Sequence, residues 1–96
     1  MKQVINTNEA PGAIGPYSQA IKANGFVFVS GQLPVVPASG QFAAGGVVGQ
    51  TRQSLANVKA ILAAAGCTLD DVVKTTVFIK DMNDFGAVNT AYAEYF

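Results

Sequence analysis

Apolar and polar positions change their period several times along the 96-residue chain, and each change marks an element. Tyr17–Ala23 and Phe26–Ser30 are two strand-like runs split by Asn24-Gly25. A two-residue type I′ turn needs positive φ at both central positions, and Asn-Gly supplies that at low steric cost. Counting outward sets a register, with Ala23 opposite Phe26, Ile21 opposite Phe28, Gln19 opposite Ser30 and Tyr17 opposite Gln32. Strand side chains alternate between faces, so Tyr17, Gln19, Ser30 and Gln32 are predicted to converge at the open end of the hairpin. Gly15-Pro16 and Gly31 flank them.

Around this hairpin the remaining elements fall in order. Gln3–Thr7 is β-branched in part and predicts a short edge strand. Asn8–Pro16 holds two Pro and two Gly and reads as a loop. Leu33–Gly46 contains Pro34, Pro37 and three Gly, an irregular excursion in which Val35 and Val36 could pair only at an edge. Val47–Ala65 switches to a helical period: Val48, Leu55, Val58, Leu62 and Ala65 line one face, with Gln50, Arg52, Gln53, Asn57 and Lys59 on the rest. Gly66 is placed to end that helix. Asp70–Lys80 alternates again and predicts a strand. Asp81 can cap a second helix, whose stripe is Phe85, Val88, Tyr92 and Phe96, with Asn89 beside it. Phe96 stands in the last helical turn with no capping residue after it, which predicts a chain that continues. The order β, ββ, α, β, α predicts an α+β sheet with both helices on one face.

Composition adds a constraint. The length predicts one small domain, residues 1–96. Charged residues are 12% and hydrophobic residues 50%, against about 25% charged in an ordinary globular protein. Much of the surface is therefore expected to be buried against other subunits, or the chain is the core-rich part of something larger. Net charge is zero and the six basic residues are scattered, which argues against nucleic acid as a partner. No apolar run reaches membrane-spanning length, and Met1–Asn6 lacks the apolar core of a secretory signal, leaving the cytoplasm as the default location.

The chemistry is bounded mainly by what is missing. Without histidine, no Ser-His-Asp or Cys-His constellation can form. One Cys and no His leave no ordinary transition-metal ligand set. No phosphate-cradling glycine motif follows a strand. Cys67 reads as a structural thiol, and Asp70-Asp71 as a solvated strand start rather than a carboxylate pair. Phe85 and Tyr92 read first as core, and Asn89 as a surface amide. Tyr17, opposite Gln32 and beside Gly31, is balanced between amphipathic packing and a functional role.

At these residues the chain resembles a known family. Ala13-Ile14-Gly15-Pro16-Tyr17-Ser18-Gln19-Ala20 and Val29-Ser30-Gly31-Gln32-Leu33-Pro34 look like the N-terminal half of the RidA (YjgF) family of enamine/imine deaminases. Gln50-Thr51-Arg52-Gln53 with Asn57 and Leu62, Val73–Phe78, and Asp81-Met82-Asn83-Asp84-Phe85 with Val88-Asn89 and Tyr92–Phe96 resemble its later segments in order and spacing.

That resemblance implies a chorismate-mutase-like α+β fold, a mixed sheet with two helices packed on one face, here lacking the last two strands. It implies homotrimers with clefts between subunits, and hydrolysis of 2-aminoacrylate, 2-iminobutanoate and 2-iminopropanoate to 2-keto acids and ammonia without a cofactor. Carried over, Tyr17, Ser30, Gly31, Phe85 and Asn89 would contact the substrate. The family's carboxylate-gripping arginine and its glutamate lie in segments beyond Phe96. Arg52, the one arginine present, does not match that position. Catalytic residues are thus not identifiable in this stretch, and at most residual activity is expected from it alone. Two other functions remain open: an RNA-acting translation inhibitor or endoribonuclease, and a non-catalytic trimeric module that binds small carboxylates.

Overall fold

A computed structural model of the chain describes residues 1–96. Its elements are β1 (Lys2–Ile5), β2 (Ala20–Ala23), β3 (Phe26–Val29), α1 (Gly46–Ala64) and α2 (Phe85–Tyr92). The α+β class is as expected. The sheet has three antiparallel strands in the order β1-β2-β3. The hairpin turns on Asn24 (φ 51°) and Gly25 (φ 82°), the type I′ signature, and its register pairs Ala23 with Phe26 and Ile21 with Phe28.

Alternation divides the sheet into two unlike faces. Ile5 and Ala20 point inward and are buried with Ala10 and Ile61, while Val27 and Val29 pack against that cluster. Val4 pairs with Ile21 and Ile21 with Phe28, a cross-strand row on the opposite face. Val4, Phe26 and Phe28 there are exposed, and the two phenylalanine rings sit 6.2 Å apart.

α1 lies against β3 on the inner face and against α2 on its other side. Its end is fixed by the Gly66 N–H donating to the Ala63 carbonyl and the Cys67 N–H donating to Leu62, the paired bonds of a Schellman ending. The predicted stripe is only partly the buried one. Leu55 and Leu62 are buried, but Ile61, outside the stripe, is the fully buried residue, and Asn57 is 1% exposed rather than facing solvent. A helix packed on two sides buries a wider arc than one stripe covers.

The strand predicted over Asp70–Lys80 does not form. Leu69–Asp71 is a 3-10 turn, closed by the Asp71 carboxylate accepting from the Thr68 N–H at 2.8 Å, so Asp71 is a cap rather than a strand start. Residues 72–80 belong to no ladder, so the sheet is antiparallel throughout rather than mixed. Val73 and Phe78 are about nine-tenths exposed (89% and 94%). Alternation gives a segment the side chains of a strand, but a ladder needs a second backbone alongside, and none is present here. Asp81 does cap, its carboxylate accepting from the Asn83 N–H at the 3-10 turn that leads into α2. In α2, Val88 and Ala91 are buried, whereas Phe85 remains half-exposed.

Two buried amides hold the long loops. Gln19, 2% exposed, accepts from the Thr7 N–H at 2.7 Å and donates to the Thr7 carbonyl at 3.0 Å. It also donates to Ala10 and Pro11 carbonyls at 3.3 and 2.8 Å. Its side chain thus takes both main-chain groups of Thr7, which is why β1 ends at Ile5 instead of the predicted Thr7. Asn57 donates to the Leu33 and Val35 carbonyls at 3.2 and 3.0 Å and accepts from Gln53 at 2.9 Å. It pins the start of the 33–46 excursion, which folds back with Val36 N–H on Gln41 and Ala43 N–H on Pro34.

A third tie crosses the helices. The Arg52 guanidinium grips the Glu94 carboxylate through Nε (3.0 Å) and Nη2 (2.8 Å), and Tyr95 donates its hydroxyl to the Arg52 carbonyl. The hydrogen bond from Arg52 holds the Glu94 carboxyl below its ordinary value, and the same bond raises Arg52. A carboxyl depressed in the folded state stabilises above its unfolded pKa, and that contribution is lost as pH falls through the folded value. The raised guanidinium would lose its share only at extreme alkalinity.

Two outcomes follow from these ties. Gln19→Leu deprives the Thr7 N–H and three carbonyls, those of Thr7, Ala10 and Pro11, of their side-chain partner, and the chain is expected to lose about 1–3 kcal/mol of stability in chemical denaturation; an unchanged midpoint would contradict this role. The contribution of Glu94 is small because the pair is exposed. It should nevertheless fade on acidification below about pH 4. In a Glu94→Gln protein the acid limb of the stability curve should be shallower, and identical limbs would refute the assignment.

Candidate functional site

The site candidates gather where the β2–β3 ladder opens. Past Ala20 and Val29 one more bond forms, from the Ser30 N–H to the Gln19 carbonyl at 3.0 Å. The strands then part, so the predicted pairing of Tyr17 with Gln32 does not occur. The Ser30 hydroxyl donates to the Ser18 carbonyl at 2.6 Å. With its one proton committed, that hydroxyl can only accept from anything else that approaches.

Beyond Ser30 the backbone N–H groups of Gly31, Gln32 and Leu33 donate to no protein acceptor. Gly31 is exposed, and a Cβ placed there would meet nothing within 4 Å. Here is a short run of unused donors with open space above it. The amide side chain of Gln32 folds onto the Ser30 carbonyl at 3.3 Å, and that of Gln19 is turned into the 7–11 loop. Of the four polar side chains predicted to converge, two are therefore structural, which leaves Tyr17 and Ser30.

Tyr17 is half-exposed (50%), and its hydroxyl accepts a long bond from the Ile14 N–H at 3.4 Å. Its ring borders a cavity of about 610 Å³ whose other walls include Thr7, Asn8 and Ser18. Ser30, Gly31, Phe85 and Asn89 do not line that cavity. Phe85 opens α2 and Asn89 follows one turn later; both are exposed, and the Asn89 amide makes no hydrogen bond within the chain. One chain thus presents two separate groups. Tyr17, Ser30 and Gly31 stand at the hairpin end, and Phe85 and Asn89 on a helix held by α1. No hydrogen bond joins them.

Other titratable residues offer less. Cys67 is half-buried, with its thiol directed to the Ala65 carbonyl. Arg52 is engaged by Glu94. No three His, Cys, Asp or Glu side chains converge as a metal site would require. Sequence reasoning missed Glu94 as the partner of Arg52 because the two are 42 residues apart and share no local period. It also missed the hydroxyl pair of Thr75 and Tyr92 at 2.6 Å, which ties the unpaired 72–80 stretch to α2.

The sequence profile of the family described as Endoribonuclease L-PSP matches residues 7–96. Over 96 residues the chain is 58% identical to a RutC family protein of Pyrococcus horikoshii, spanning all of this chain and 76% of that protein. It is 52% identical to the mouse protein named 2-iminobutanoate/2-iminopropanoate deaminase, spanning all of this chain and 71% of the other. The solved structure of Escherichia coli TdcF with bound serine superposes with a TM-score of 0.93 at 50% identity, covering 98% of this chain and 73% of that one. No helix is long and apolar enough to cross a membrane. With the fold and the matches along the whole chain in agreement, the chain belongs to the RidA/YjgF family.

Proposed function

We propose that this chain forms part of a deaminase that hydrolyses reactive enamines and imines, 2-aminoacrylate and 2-iminobutanoate or 2-iminopropanoate, to 2-keto acids and ammonia. The observation that carries the reading is identity at about half of all positions, across the whole chain, to mammalian proteins named for that reaction (52% in mouse, 50% in human). The bound serine of TdcF, itself a small amino acid, supports a ligand of the same class.

The hairpin end suits such a substrate. A 2-imino acid carries an anionic carboxylate next to a planar C=N carbon. The free N–H groups at Gly31–Leu33 can donate to carboxylate oxygen, and donors fixed before the reaction need no rearrangement during it. Ser30, able only to accept, can take a hydrogen bond from the protonated nitrogen or from the attacking water. The Tyr17 ring supplies a flat wall. Phe85 would supply an apolar one and Asn89 a polar contact. Water adds to the imine carbon and one of its protons passes to nitrogen, giving a carbinolamine; the hydroxyl proton then also passes to nitrogen as the C–N bond breaks, leaving the keto acid and ammonia. An enamine first takes a proton on its methylene carbon to become the imine.

A single chain keeps the two residue groups apart, so a cleft between copies, in a homotrimer, would bring Gly31 of one subunit toward α2 of another. The exposed Val4, Phe26 and Phe28 face supports such an assembly, since a contiguous apolar face is a common subunit interface. Arg52 is engaged by Glu94, so the bidentate partner for the carboxylate would be the family's other arginine, outside residues 1–96. Zero net charge and the absence of histidine weigh against an RNA-cleaving role, despite the family's endoribonuclease description.

The test is a coupled assay in which a pyridoxal-phosphate enzyme releases 2-aminoacrylate and its disappearance is followed. Protein carrying this chain should accelerate formation of pyruvate and ammonia, and no acceleration at any protein concentration would leave only a binding module. The polypeptide Met1–Phe96 by itself should give at most residual rates. Full rates from it would contradict the need for an arginine outside this stretch.

A further inference from the structure

We infer that Asn57, on α1 and remote from any substrate, is a positioning residue that holds the donor run at Gly31–Leu33 open. The inference rests on the proposed deaminase reading for its kinetic consequence, but its structural content stands on the hydrogen bonds.

The run is anchored on both sides and nowhere between. Upstream, the Ser30 N–H is tied to the Gln19 carbonyl at 3.0 Å, the last bond of the hairpin. Downstream, the Leu33 carbonyl accepts from both the Val35 N–H (2.8 Å) and Asn57 Nδ2 (3.2 Å). Asn57 Nδ2 also reaches the Val35 carbonyl at 3.0 Å. Pro34 between them has a fixed φ and no N–H of its own, so it can only accept, and its carbonyl takes the Ala43 N–H at 2.8 Å. The one side chain that grips the turn from another element is Asn57.

That side chain is well suited to the task. Asn57 is 1% exposed, and Gln53 Nε2 donates to its Oδ1 at 2.9 Å, which leaves the –NH₂ end facing the two carbonyls. No buried side-chain polar atom in the chain lacks a partner. If the grip were released, the Val35 carbonyl would lose its partner and the Leu33 carbonyl would keep only the Val35 N–H. The nearest unpaired donors along the chain are the N–H groups of Gly31–Leu33, and a collapse of the turn would consume or misdirect them. A group that orients a binding donor without touching the ligand changes affinity rather than the chemical step.

Asn57→Asp keeps the shape and can still accept from Gln53, but it cannot donate to Leu33 or Val35. Two readouts decide. In amide exchange, the Val36 and Ala43 N–H groups, which close the excursion, should exchange on the order of tenfold faster or more, while Ile21 and Phe28 of the hairpin ladder keep their protection. In the imine assay KM should rise by about tenfold to a hundredfold with kcat nearly unchanged, the scale expected when a remote change misplaces a binding group. Because KM does not depend on how much protein is folded, mere loss of stability would lower the amplitude and leave KM alone. If the Asn57→Asp protein fails to fold, Gln53→Ala retains Asn57 but frees its orientation, and should show the same pattern more weakly.

Unchanged exchange at Val36 and Ala43 overturns the inference. So does acceleration shared equally by the hairpin, or an unchanged KM. Should the unaltered protein show no turnover at all, the deaminase reading fails, and the exchange pattern alone still decides the role of Asn57.

Discussion

The architecture of the candidate site depends on two buried carboxamides. Every main-chain N–H and C=O removed from water needs a partner, and long loops have no ladder to provide one. Gln19 supplies that partner to Thr7, Ala10 and Pro11, and Asn57 supplies it to Leu33 and Val35. Gln19 lies two residues after Tyr17, and Leu33 lies two residues after Gly31. The same bonds that make the loops stable therefore set the two sides of the opening between the strands. Neither amide has an N–H left over for a ligand, which suits a framework role.

The rest of the chain is arranged around that opening with an unusual amount of apolar surface left uncovered. Ten of 96 residues are buried, and the core is the narrow seam of Ile5, Ala10, Ala20 and Ile61 between the sheet and α1. The outer sheet face carries Val4, Phe26 and Phe28, and the 72–80 stretch carries Val73, Val77 and Phe78, all exposed. A charge content of 12% and this exposure are two views of one property, a surface with an unusually large apolar share. The Arg52–Glu94 pair is a rare charged contact in this setting, and it ties α1 to the turn after α2, the helix that carries Phe85 and Asn89.

What was legible in the sequence was whatever local geometry decides. Asn24-Gly25 set the hairpin turn and its register, Gly66 marked the end of α1, and Asp81 marked the turn into α2. Failures came where a second element decides. Residues 70–80 have the alternation of a strand without the neighbouring backbone that makes one. Asn57 was assigned to the polar side of α1 because its partners, Leu33 and Val35, are more than twenty residues away in a Pro-interrupted loop. Ile61 lay outside the counted stripe because α1 is covered on two sides. The free donors at Gly31–Leu33 could not be read at all, since they are defined by bonds that are not made.

The central claim is that those free donors, held between the Gln19 and Asn57 anchors, face the carboxylate of a small 2-keto or 2-imino acid. It is tested most directly by titrating isotope-labelled protein carrying this chain with 2-ketobutanoate and following backbone amide resonances. The account predicts saturable shifts centred on Gly31, Gln32 and Leu33, with smaller changes at Tyr17 and Ser30. Saturable shifts confined to the cavity beside Thr7 and Asn8, with Gly31–Leu33 unmoved, would contradict it.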